Sequence, residues 1–292
     1  MKNITIFTPT YNRAHTLTRL HKSLLKQDSY DFEWLIVDDG SNDDTEKIVE
    51  QFVENTEQFP IRYYKRENGG KHRAINYALK LAEGELFFIV DSDDWLPSTS
   101  ISNIILHYKE IKGKDGYAGV AGCKFDSRNI RSGTTFSGQV LDATSLERNK
   151  YGITGEKAEV FITEVLRKYP FPEYEGERFI SEAVVWNKIA FEGYKLRWFN
   201  ENIYFFEYQE DGLTNHLREN YRKNPRGYLL YIGNEIKYLK VSYLKKLIWC
   251  GKCINTITLE TVTKKEVLNF LNINAIEYIV SKLIFNLYVL MR

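Results

Sequence analysis

The sequence predicts an α/β protein built on a mostly parallel sheet with helices on both faces. In the first third of the chain, short apolar segments alternate with helix-like segments in the order β-α-β-α-β-α-β. The fourth apolar segment, residues 86–90, is continuously hydrophobic, as strands covered on both faces are. With 292 residues, 43% of them hydrophobic and 27% charged, the chain suits one large globular domain with a smaller appendage.

The first two strands each run into a polar loop and then a helix. Residues 4–7 form the first strand, and the following helix has an apolar face made of Leu17, Leu20 and Leu24. Residues 34–37 form the second strand. Ser41, three residues before Asp44, predicts a capping box at the start of the next helix.

The third and fourth strands repeat the pattern. Residues 61–64 form the third strand, residues 68–70 turn the chain, and the next helix has a stripe made of Ile75, Ala78, Leu79 and Ala82. Gly84 is expected to end that helix. The fourth strand, residues 86–90, ends at Asp91.

The second part of the chain has a weaker pattern. We expect short strands at residues 118–122, 196–199 and 203–206, a short helix over 157–168, and a helix over 182–192 ended by Gly193. From about residue 219 the pattern is helical.

Bulk composition excludes several classes of protein. The formal net charge is +1, so no global field would collect nucleic acid. The three cysteines are an odd number without framework spacing, which argues against a disulfide scaffold. Cys250 and Cys253 have no second pair, so we expect them on a helix face rather than in a metal or redox site. No signal-peptide pattern follows Met1, so the expected compartment is the cytoplasm.

Polar clusters follow three of the four strands: residues 8–13, 38–41 and 91–94. Ligands of open parallel sheets bind beyond the carboxyl ends of the strands, so these clusters predict one site. In the last cluster, Asp91-Ser92-Asp93 offers two carboxylates one residue apart, which suits Mg²⁺ or Mn²⁺ held together with phosphate oxygens. The alternative is a solvated turn that caps the helix beginning near Pro97.

Four other side chains near this edge are candidates for nucleotide binding. Asp39 can accept a hydrogen bond from a base or ribose, or it can cap the following helix. Tyr11 can stack on a nucleobase, or it can pack within its loop. Arg13 and Lys71 can contact phosphate, or they can be ordinary surface charges.

Four motifs in this order closely resemble glycosyltransferase family 2: TPTYNR, VDDGSNDDT, ENGGKHRAINYAL and FFIVDSDDWL. The resemblance implies the GT-A fold, a nucleotide-diphosphate-sugar donor and a divalent metal, Mn²⁺ or Mg²⁺. It puts Asp91 where the family contacts ribose or metal, and Asp93, the second acid of the DXD motif, at the principal metal carboxylate. The nucleoside-binding positions of the family fall on Thr8, Tyr11, Arg13 and Asp39.

The second half departs from the family pattern at the expected general base. Similar members carry a Glu-Asp pair at the start of a helix that ends in Gly-Tyr-Lys. Counting back from Gly193 puts Ser181-Glu182 at that pair, so the resemblance makes Glu182 the candidate catalytic base of an inverting enzyme. The alternative is a first-turn acid favoured by the helix dipole, and Glu175 and Glu177 are competitors.

Similar members also have a loop after the last strand that closes over the donor. Within the corresponding residues 207–216, His216 is a further candidate for a metal or phosphate contact, and Arg218 for phosphate; the alternative for this histidine is simple solvation. We divide the chain into a GT-A catalytic domain over 1–218 and a helical extension over 219–292. The catalytic domain comprises a nucleotide-binding half, 1–112, and an acceptor half, 113–218.

The C-terminal segments mix apolar and lysine residues. Residues 278–291 are strongly apolar but too short and interrupted to span a bilayer. We expect helices docked on the catalytic domain, with peripheral membrane contact as the sharper alternative. That contact would place the enzyme at the inner face of the plasma membrane.

The leading hypothesis is an inverting, metal-dependent hexosyltransferase. It would move a sugar from a UDP-sugar to a hydroxyl of a glycan or lipid-linked acceptor in cell-surface polysaccharide synthesis. One alternative is a non-catalytic module of the same fold that binds a nucleotide-sugar. A sugar nucleotidyltransferase would need a glycine-rich, basic loop after the first strand, and TPTYNR is not such a loop.

Overall fold

A single sheet forms the centre of the computed structural model, which describes residues 3–207, 216–257 and 261–290. Its eight strands are β1 Ile4–Thr10, β2 Phe32–Asp38, β3 Ile61–Lys65, β4 Leu86–Ile89, β5 Tyr117–Asp126, β6 Val140–Ala143, β7 Lys157–Ile162 and β8 Lys195–Phe206. They are ordered β3-β2-β1-β4-β7-β5-β8-β6. The first four strands are parallel, as are β5 and β8, whereas β7 and β6 are antiparallel to their neighbours. The predicted mostly parallel α/β sheet is confirmed.

Helices cover both faces of this sheet. In the catalytic region they are α1 Ala14–Leu24, α2 Thr45–Asn55, α3 Lys71–Leu81, α4 Ser100–Lys109, α5 Thr163–Leu166 and α6 Ala183–Phe191. Successive strand residues alternate between two cores: Trp34 and Ile36 pack with α1, α2 and α4, whereas Leu35 and Val37 pack with α3 and α6. Burial on both faces explains why these strands are continuously apolar.

Two predictions for the second half are corrected. The helix expected over 157–168 is wrong at its start, because residues Lys157–Ile162 form β7, between β4 and β5, and only Thr163–Leu166 is helical. Polar and apolar side chains alternate from Lys157 to Val160, which is the two-residue period of a strand and not the period of a helix. The two strands expected at 196–199 and 203–206 are one strand, β8, whose pairing with β5 shifts register.

Two local roles also differ from the prediction. Ser41 does not form a capping box, since its hydroxyl accepts a hydrogen bond from the amide of Asn12, 2.8 Å away. Gly84 lies three residues beyond the end of α3 and permits a close approach to β1. A Cβ at this position would lie 2.2 Å from the amide nitrogen of Thr5.

The C-terminal region consists of helices around a third core. They are α7 Leu217–Lys223, α8 Pro225–Tyr238, α9 Tyr243–Thr256, α10 Lys264–Leu271 and α11 Ala275–Leu290. Cys250 and Cys253 are buried in this core as free thiols, as expected for residues on a helix face. Among the described residues, no single helix is long and apolar enough to cross a membrane. The pair α10 and α11 reaches that length together but bends by 84° between its members.

Candidate active site

A cavity of about 1110 Å³ opens at the carboxyl ends of β1, β2 and β4 and extends toward β5, β7, α6 and α7. Its position agrees with the rule for ligand sites in open sheets. Eight of the eleven predicted site residues line it: Tyr11, Arg13, Asp39, Lys71, Asp91, Ser92, Asp93 and Glu182. Thr8, His216 and Arg218 do not line it.

The loops after β1 and β2 hold each other in place. Besides the Ser41 contact, Asn12 accepts a hydrogen bond from the amide of Asn42 at 2.8 Å through its side-chain oxygen. Asn12 adopts a positive φ of 53°, which asparagine tolerates better than most residues. The fixed loop leaves Tyr11 46% exposed at the cavity, with a ring face available for stacking.

Thr8 lies in β1, two residues before the carboxyl end of the strand. Its fully buried hydroxyl accepts a hydrogen bond from the indole N–H of Trp34 at 2.9 Å, so its side chain belongs to the core. The residue on the same strand face that reaches the cavity is Thr10. The hydroxyl of Thr10 is buried and has no hydrogen-bond partner in the described part of the chain.

The two acids at the end of β2 have different roles. Asp38 is fully buried and accepts hydrogen bonds from the Ser41 amide at 2.7 Å and the Tyr63 hydroxyl at 2.6 Å. Asp39 lines the cavity, and its two oxygens accept the amides of Gly69 and Gly70, each at 2.8 Å. Burial raises the pKa of Asp39, and these two amides offset only part of the rise.

The turn that Asp39 holds requires glycine at its second position. Gly70 has a φ of 94°, and a Cβ there would lie 1.8 Å from the carbonyl oxygen of Arg178. Lys71, which begins α3, follows directly. The turn therefore fixes the start of α3 against the segment that precedes Glu182.

Lys71 joins the two halves of the cavity. Its ammonium lies 2.6 Å from a carboxylate oxygen of Asp91, at the end of β4, and 2.8 Å from one of Glu182, before α6. Burial alone would lower the pKa of Lys71, but the two carboxylates raise it above its ordinary value. Burial would raise the pKa of Asp91, and the charges of Lys71 and Lys124 bring it below its usual range.

Glu182 is therefore placed in the cavity rather than used as a helix cap. It occupies the N-cap position of α6 but makes no side-chain capping hydrogen bond. Of its competitors, Glu177 accepts the amides of Arg226 and Gly227 at 2.8 and 2.9 Å and so holds the start of α8. Glu175 is exposed and does not line the cavity.

Asp93 and Asp94 have different surroundings within the acidic loop. Asp94 accepts a hydrogen bond from the buried Tyr204 hydroxyl at 2.7 Å, and that hydroxyl accepts the amide of Asp91 at 3.0 Å. Burial, with the charge of Asp91, raises the pKa of Asp94 to about 7. The carboxylate of Asp93 makes no hydrogen bond or ion pair with another residue in the part of the chain described, and burial followed by the charge of Asp91 raises its pKa.

This loop fits a divalent cation that is shared with a ligand. Asp93 has a partly buried carboxylate whose burial is offset only in part by the charges of Arg13 and Lys71, and hard cations prefer such oxygen donors. No group of three or more acidic, histidine or cysteine side chains is placed to hold a metal within the described residues. The remaining ligands of a cation held by Asp93 and Asp91 would then be diphosphate oxygens and water.

The residues on the far wall of the cavity were not predicted from the sequence. Lys124 of β5 lies 4.0 Å from the ring centroid of Tyr204, and Glu159 of β7 has its pKa raised by burial. Tyr221 of α7, which stacks on Tyr228 with 4.0 Å between centroids, also lines the cavity. These residues lie far apart in sequence, and no motif connects them.

His216 and Arg218 are both exposed and do not line the cavity. Residues 208–215 of the expected closing loop lie outside the described residues. A ligand role for His216 therefore stays a prediction. The boundary predicted at residue 218 falls inside α7, whose residues Asn220 and Tyr221 line the cavity.

Comparison with known proteins gives glycosyltransferases among the relatives of this chain. A GalNAc(5)-diNAcBac-PP-undecaprenol beta-1,3-glucosyltransferase of Campylobacter jejuni is 28% identical over 258 residues, covering 84% of this chain and 79% of the relative. The poly(ribitol-phosphate) beta-N-acetylglucosaminyltransferase TarS of Staphylococcus aureus is 37% identical over 105 residues, covering 35% of this chain but only 18% of TarS.

Solved structures share the fold. TarS residues 1–349 in complex with UDP-GlcNAc superpose with a TM-score of 0.62 at 21% identity, covering 100% of this chain and 93% of that one. The mannosyltransferase PcManGT from Pyrobaculum calidifontis, in complex with GDP-Man and Mn²⁺, gives 0.56 at 18% identity, covering 97% and 86%. At these identities the likeness concerns the fold alone.

The model of the family described as Glycosyl transferase family 2 matches residues 5–165, which is more than half of the chain. The match contains the loops after β1, β2 and β4, including the residues that tie them together. The predicted resemblance is thereby confirmed, and the chain belongs to glycosyltransferase family 2.

Proposed function

We propose that this glycosyltransferase is inverting and metal-dependent, and that it takes its sugar from a UDP-sugar. The observation that carries the proposal is the position of Lys71, whose ammonium contacts Asp91 on one side and Glu182 on the other. This contact brings a carboxylate from the second half of the chain to the acidic loop at the end of β4. A base for the acceptor and a charged site for the diphosphate then share one cavity.

The proposed reaction is a single displacement at the anomeric carbon. The acceptor hydroxyl loses its proton to Glu182 as its oxygen forms the new bond to that carbon. The bond from the anomeric carbon to the diphosphate oxygen breaks, and the nucleotide diphosphate leaves with the electron pair. Attack from the face opposite the leaving group inverts the configuration.

Donor binding is assigned to the first half of the cavity. Tyr11 would stack on the base, Asp39 would accept its ring N–H, and Ser92 lies between the two acids of the loop. Arg13 and Lys71 supply positive charge for the diphosphate. A divalent cation bound at Asp93 and Asp91 would neutralise charge that builds on the departing diphosphate.

For the acceptor, we propose a hydroxyl of a glycan or glycolipid in cell-surface polysaccharide synthesis. Support comes from the Campylobacter relative, whose name describes an undecaprenol-linked substrate, and from TarS, whose name describes a poly(ribitol-phosphate). Such a lipid-linked acceptor would place the enzyme in the cytoplasm, at the inner face of the plasma membrane.

A donor panel tests the proposal. The protein is incubated with UDP-, GDP- and dTDP-sugars, with Mn²⁺, Mg²⁺ or a chelator, and the released nucleotide is measured. We expect release from one UDP-sugar with metal and a fall of at least about 10²-fold in Asp93→Ala. The matched control is Asp115→Ala, an exposed acid outside the cavity, which should change nothing.

Three kinds of result would contradict the proposal. Equal nucleotide release with chelator, or unchanged metal dependence in Asp93→Ala, would remove the metal assignment. Release from GDP- or dTDP-sugars alone would remove the UDP assignment. Retention of anomeric configuration in the product, observed by NMR, would show that the displacement is not single.

A further inference from the structure

The last helix, α11, exposes a large apolar surface. Of its 16 residues, only Ser281 is buried. Six large aliphatic side chains lie largely in solvent, with Ile276 at 73% and Leu283 at 58% exposure. Five of them form the α11 stripe: Ile276, Ile279, Leu283, Leu287 and Leu290. In the catalytic region, large exposed aliphatics occur singly on separate elements, such as Val53, Leu106 and Ile130.

The α11 stripe is continuous along one side of the helix. Its members are spaced three or four residues apart, so they lie above one another on the same face. From Ile276 to Leu290 the stripe is about 21 Å long at 1.5 Å per residue. The opposite side packs on α9, where a Cβ on Gly251 would lie 2.2 Å from the carbonyl oxygen of Ser281.

Charge is divided unequally between the two parts of the chain. Residues 219–292 contain 12 Lys and Arg against 5 Asp and Glu, a net charge of +7, whereas residues 1–218 contain 28 against 34, a net charge of −6. The acid of α11, Glu277, is paired with Lys246 at 3.1 Å. The exposed residues of α11 are therefore apolar except for Asn286, and none of them is an acid in the described part of the helix.

One edge of the stripe combines an aromatic ring with two cations. The ammonium groups of Lys264 and Lys282 lie 5.2 and 5.9 Å from the ring centroid of Tyr278. Tyrosine and lysine beside an aliphatic face are typical of helices that lie in the interface of a membrane. Basic side chains at that level are attracted to anionic headgroups.

We propose that the α11 stripe is a membrane-contact surface that lies flat on a bilayer containing anionic lipids. The alternative occupant, a second copy of the chain, is disfavoured because two segments of net charge +7 would face each other. The inference rests on the proposed function in one respect: the membrane holds the lipid-linked acceptor. Vesicle binding itself needs neither donor nor acceptor.

Co-sedimentation of the full chain with vesicles tests this surface. The vesicles contain phosphatidylcholine and phosphatidylglycerol at roughly two to one, or phosphatidylcholine alone. We expect binding to the anionic vesicles that falls more than about a hundredfold in the triple variant Ile279→Ser, Leu283→Ser, Leu287→Ser. The matched control is Val53→Ser, Leu106→Ser, Ile130→Ser, which removes equally exposed aliphatics from the catalytic region and should bind like the original chain.

A second variant tests the charge. Lys264→Gln with Lys282→Gln should weaken anionic binding by about fivefold for each lysine and leave the weak binding to neutral vesicles unchanged. Thermal melting checks that both stripe and charge variants remain folded.

The proposal is overturned if the original chain does not bind anionic vesicles, or if the stripe variant binds as well as the control. A dimer in analytical ultracentrifugation that dissociates only in the stripe variant, without vesicle binding, would assign the surface to a second copy. Nucleotide release from a soluble donor, measured without vesicles, separates the two proposals. If the original chain binds vesicles but releases no nucleotide from any donor, only the proposed function is overturned.

Discussion

The donor side and the acceptor side of the cavity are held in different ways. On the donor side, the hydrogen bonds come from backbone amides. Asp39 accepts those of Gly69 and Gly70, Asn12 accepts that of Asn42, and Ser41 accepts that of Asn12. On the acceptor side, Glu182 makes one ion pair, with Lys71, in the part of the chain that is described. One side is a network of main-chain hydrogen bonds, and the other depends on one side chain.

The difference explains why only one side follows the family pattern closely. A carboxylate that positions two backbone amides cannot change without moving a loop, because each amide left unpaired costs about 1–3 kcal/mol. A carboxylate held by a flexible lysine can be longer or shorter, as Glu182 is compared with the expected aspartate. Lys71 is the contact through which each side affects the other.

The largest effect is expected from Glu182→Gln, which removes the proton acceptor but keeps the shape of the side chain. We expect transfer to fall by about 10⁴-fold, or about 5.5 kcal/mol, with donor affinity unchanged. Transfer is measured with the donor found in the panel, and affinity by calorimetry.

Glu175→Gln is the matched control, since this acid is exposed and outside the cavity. If Glu182→Gln transfers sugar at the original rate, the base lies elsewhere, with Glu159 as the next carboxylate on the cavity wall.

The next largest effect is expected from Lys71→Met, which should disturb both sides at once. It leaves the carboxylates of Asp91 and Glu182 without their shared partner and removes a cation from the diphosphate site. We expect kcat/KM to fall by about 10³-fold, or about 4 kcal/mol, through both a higher donor KM and a lower kcat. Lys80→Met, on the exposed end of the same helix, is the control. A change in KM alone would show that Lys71 serves only the donor.

The fold of the donor side could be predicted because its signals are local. Each strand from β1 to β4 is a short apolar run, and each is followed within a few residues by the polar cluster that it positions. Once a parallel sheet is predicted, the positions of Asp39, Asp91 and Asp93 along one edge follow. The distinction between Thr8 and Thr10 could not be predicted in this way, because it depends on where the pleat meets the cavity.

The acceptor side could not be predicted to the same depth because its contacts are long-range. β7 is inserted between β4 and β5 although it follows both in sequence, and its six residues are too few for periodicity alone to distinguish a strand from the start of a helix. The pairing of Lys71 with Glu182 joins residues more than a hundred positions apart, for which only the family resemblance gave a hint. The exposure of α11 also depends on packing that periodicity alone does not determine.

A third effect should appear in stability rather than catalysis, on the donor side. His72, in the first turn of α3, is buried, and neither ring nitrogen has a hydrogen-bond partner in the described part of the chain. Burial, with the charge of Arg73, lowers the pKa of His72 from 6.5 to about 4. The unfolded chain therefore binds a proton on this ring between pH 6.5 and 4 while the folded chain does not.

Stability should consequently be fully present above pH 6.5 and fall as the pH drops toward 4, by up to about 3 kcal/mol from this residue. Urea unfolding at a series of pH values measures the slope. We expect a flatter slope in His72→Gln and an unchanged one in His216→Gln, which replaces an exposed histidine. Equal slopes in all three proteins would show that His72 is not the source.

The smallest effect is expected from Asp39→Asn. It should lower donor affinity and leave kcat nearly unchanged, whereas Glu182→Gln should do the reverse. The substitution puts an amide NH₂ against the N–H of either Gly69 or Gly70, so one of two hydrogen bonds at 2.8 Å is lost. The turn before Lys71 loosens, and the nucleobase of the donor loses its charged hydrogen-bond acceptor. We expect donor affinity to fall by about 10- to 30-fold, near 1–2 kcal/mol, with kcat at saturating donor changed by less than about twofold.

Asp44→Asn is the matched control for this prediction, because Asp44 is an exposed acid on the same loop and does not line the cavity. Loss of affinity without loss of kcat in Asp39→Asn, and the reverse in Glu182→Gln, would separate the two sides of the cavity energetically. If Asp39→Asn instead lowers kcat as strongly as Glu182→Gln does, the glycine turn must also position the catalytic base, Glu182. In that case the turn would act through Lys71, because the turn immediately precedes this residue and Lys71 pairs directly with Glu182.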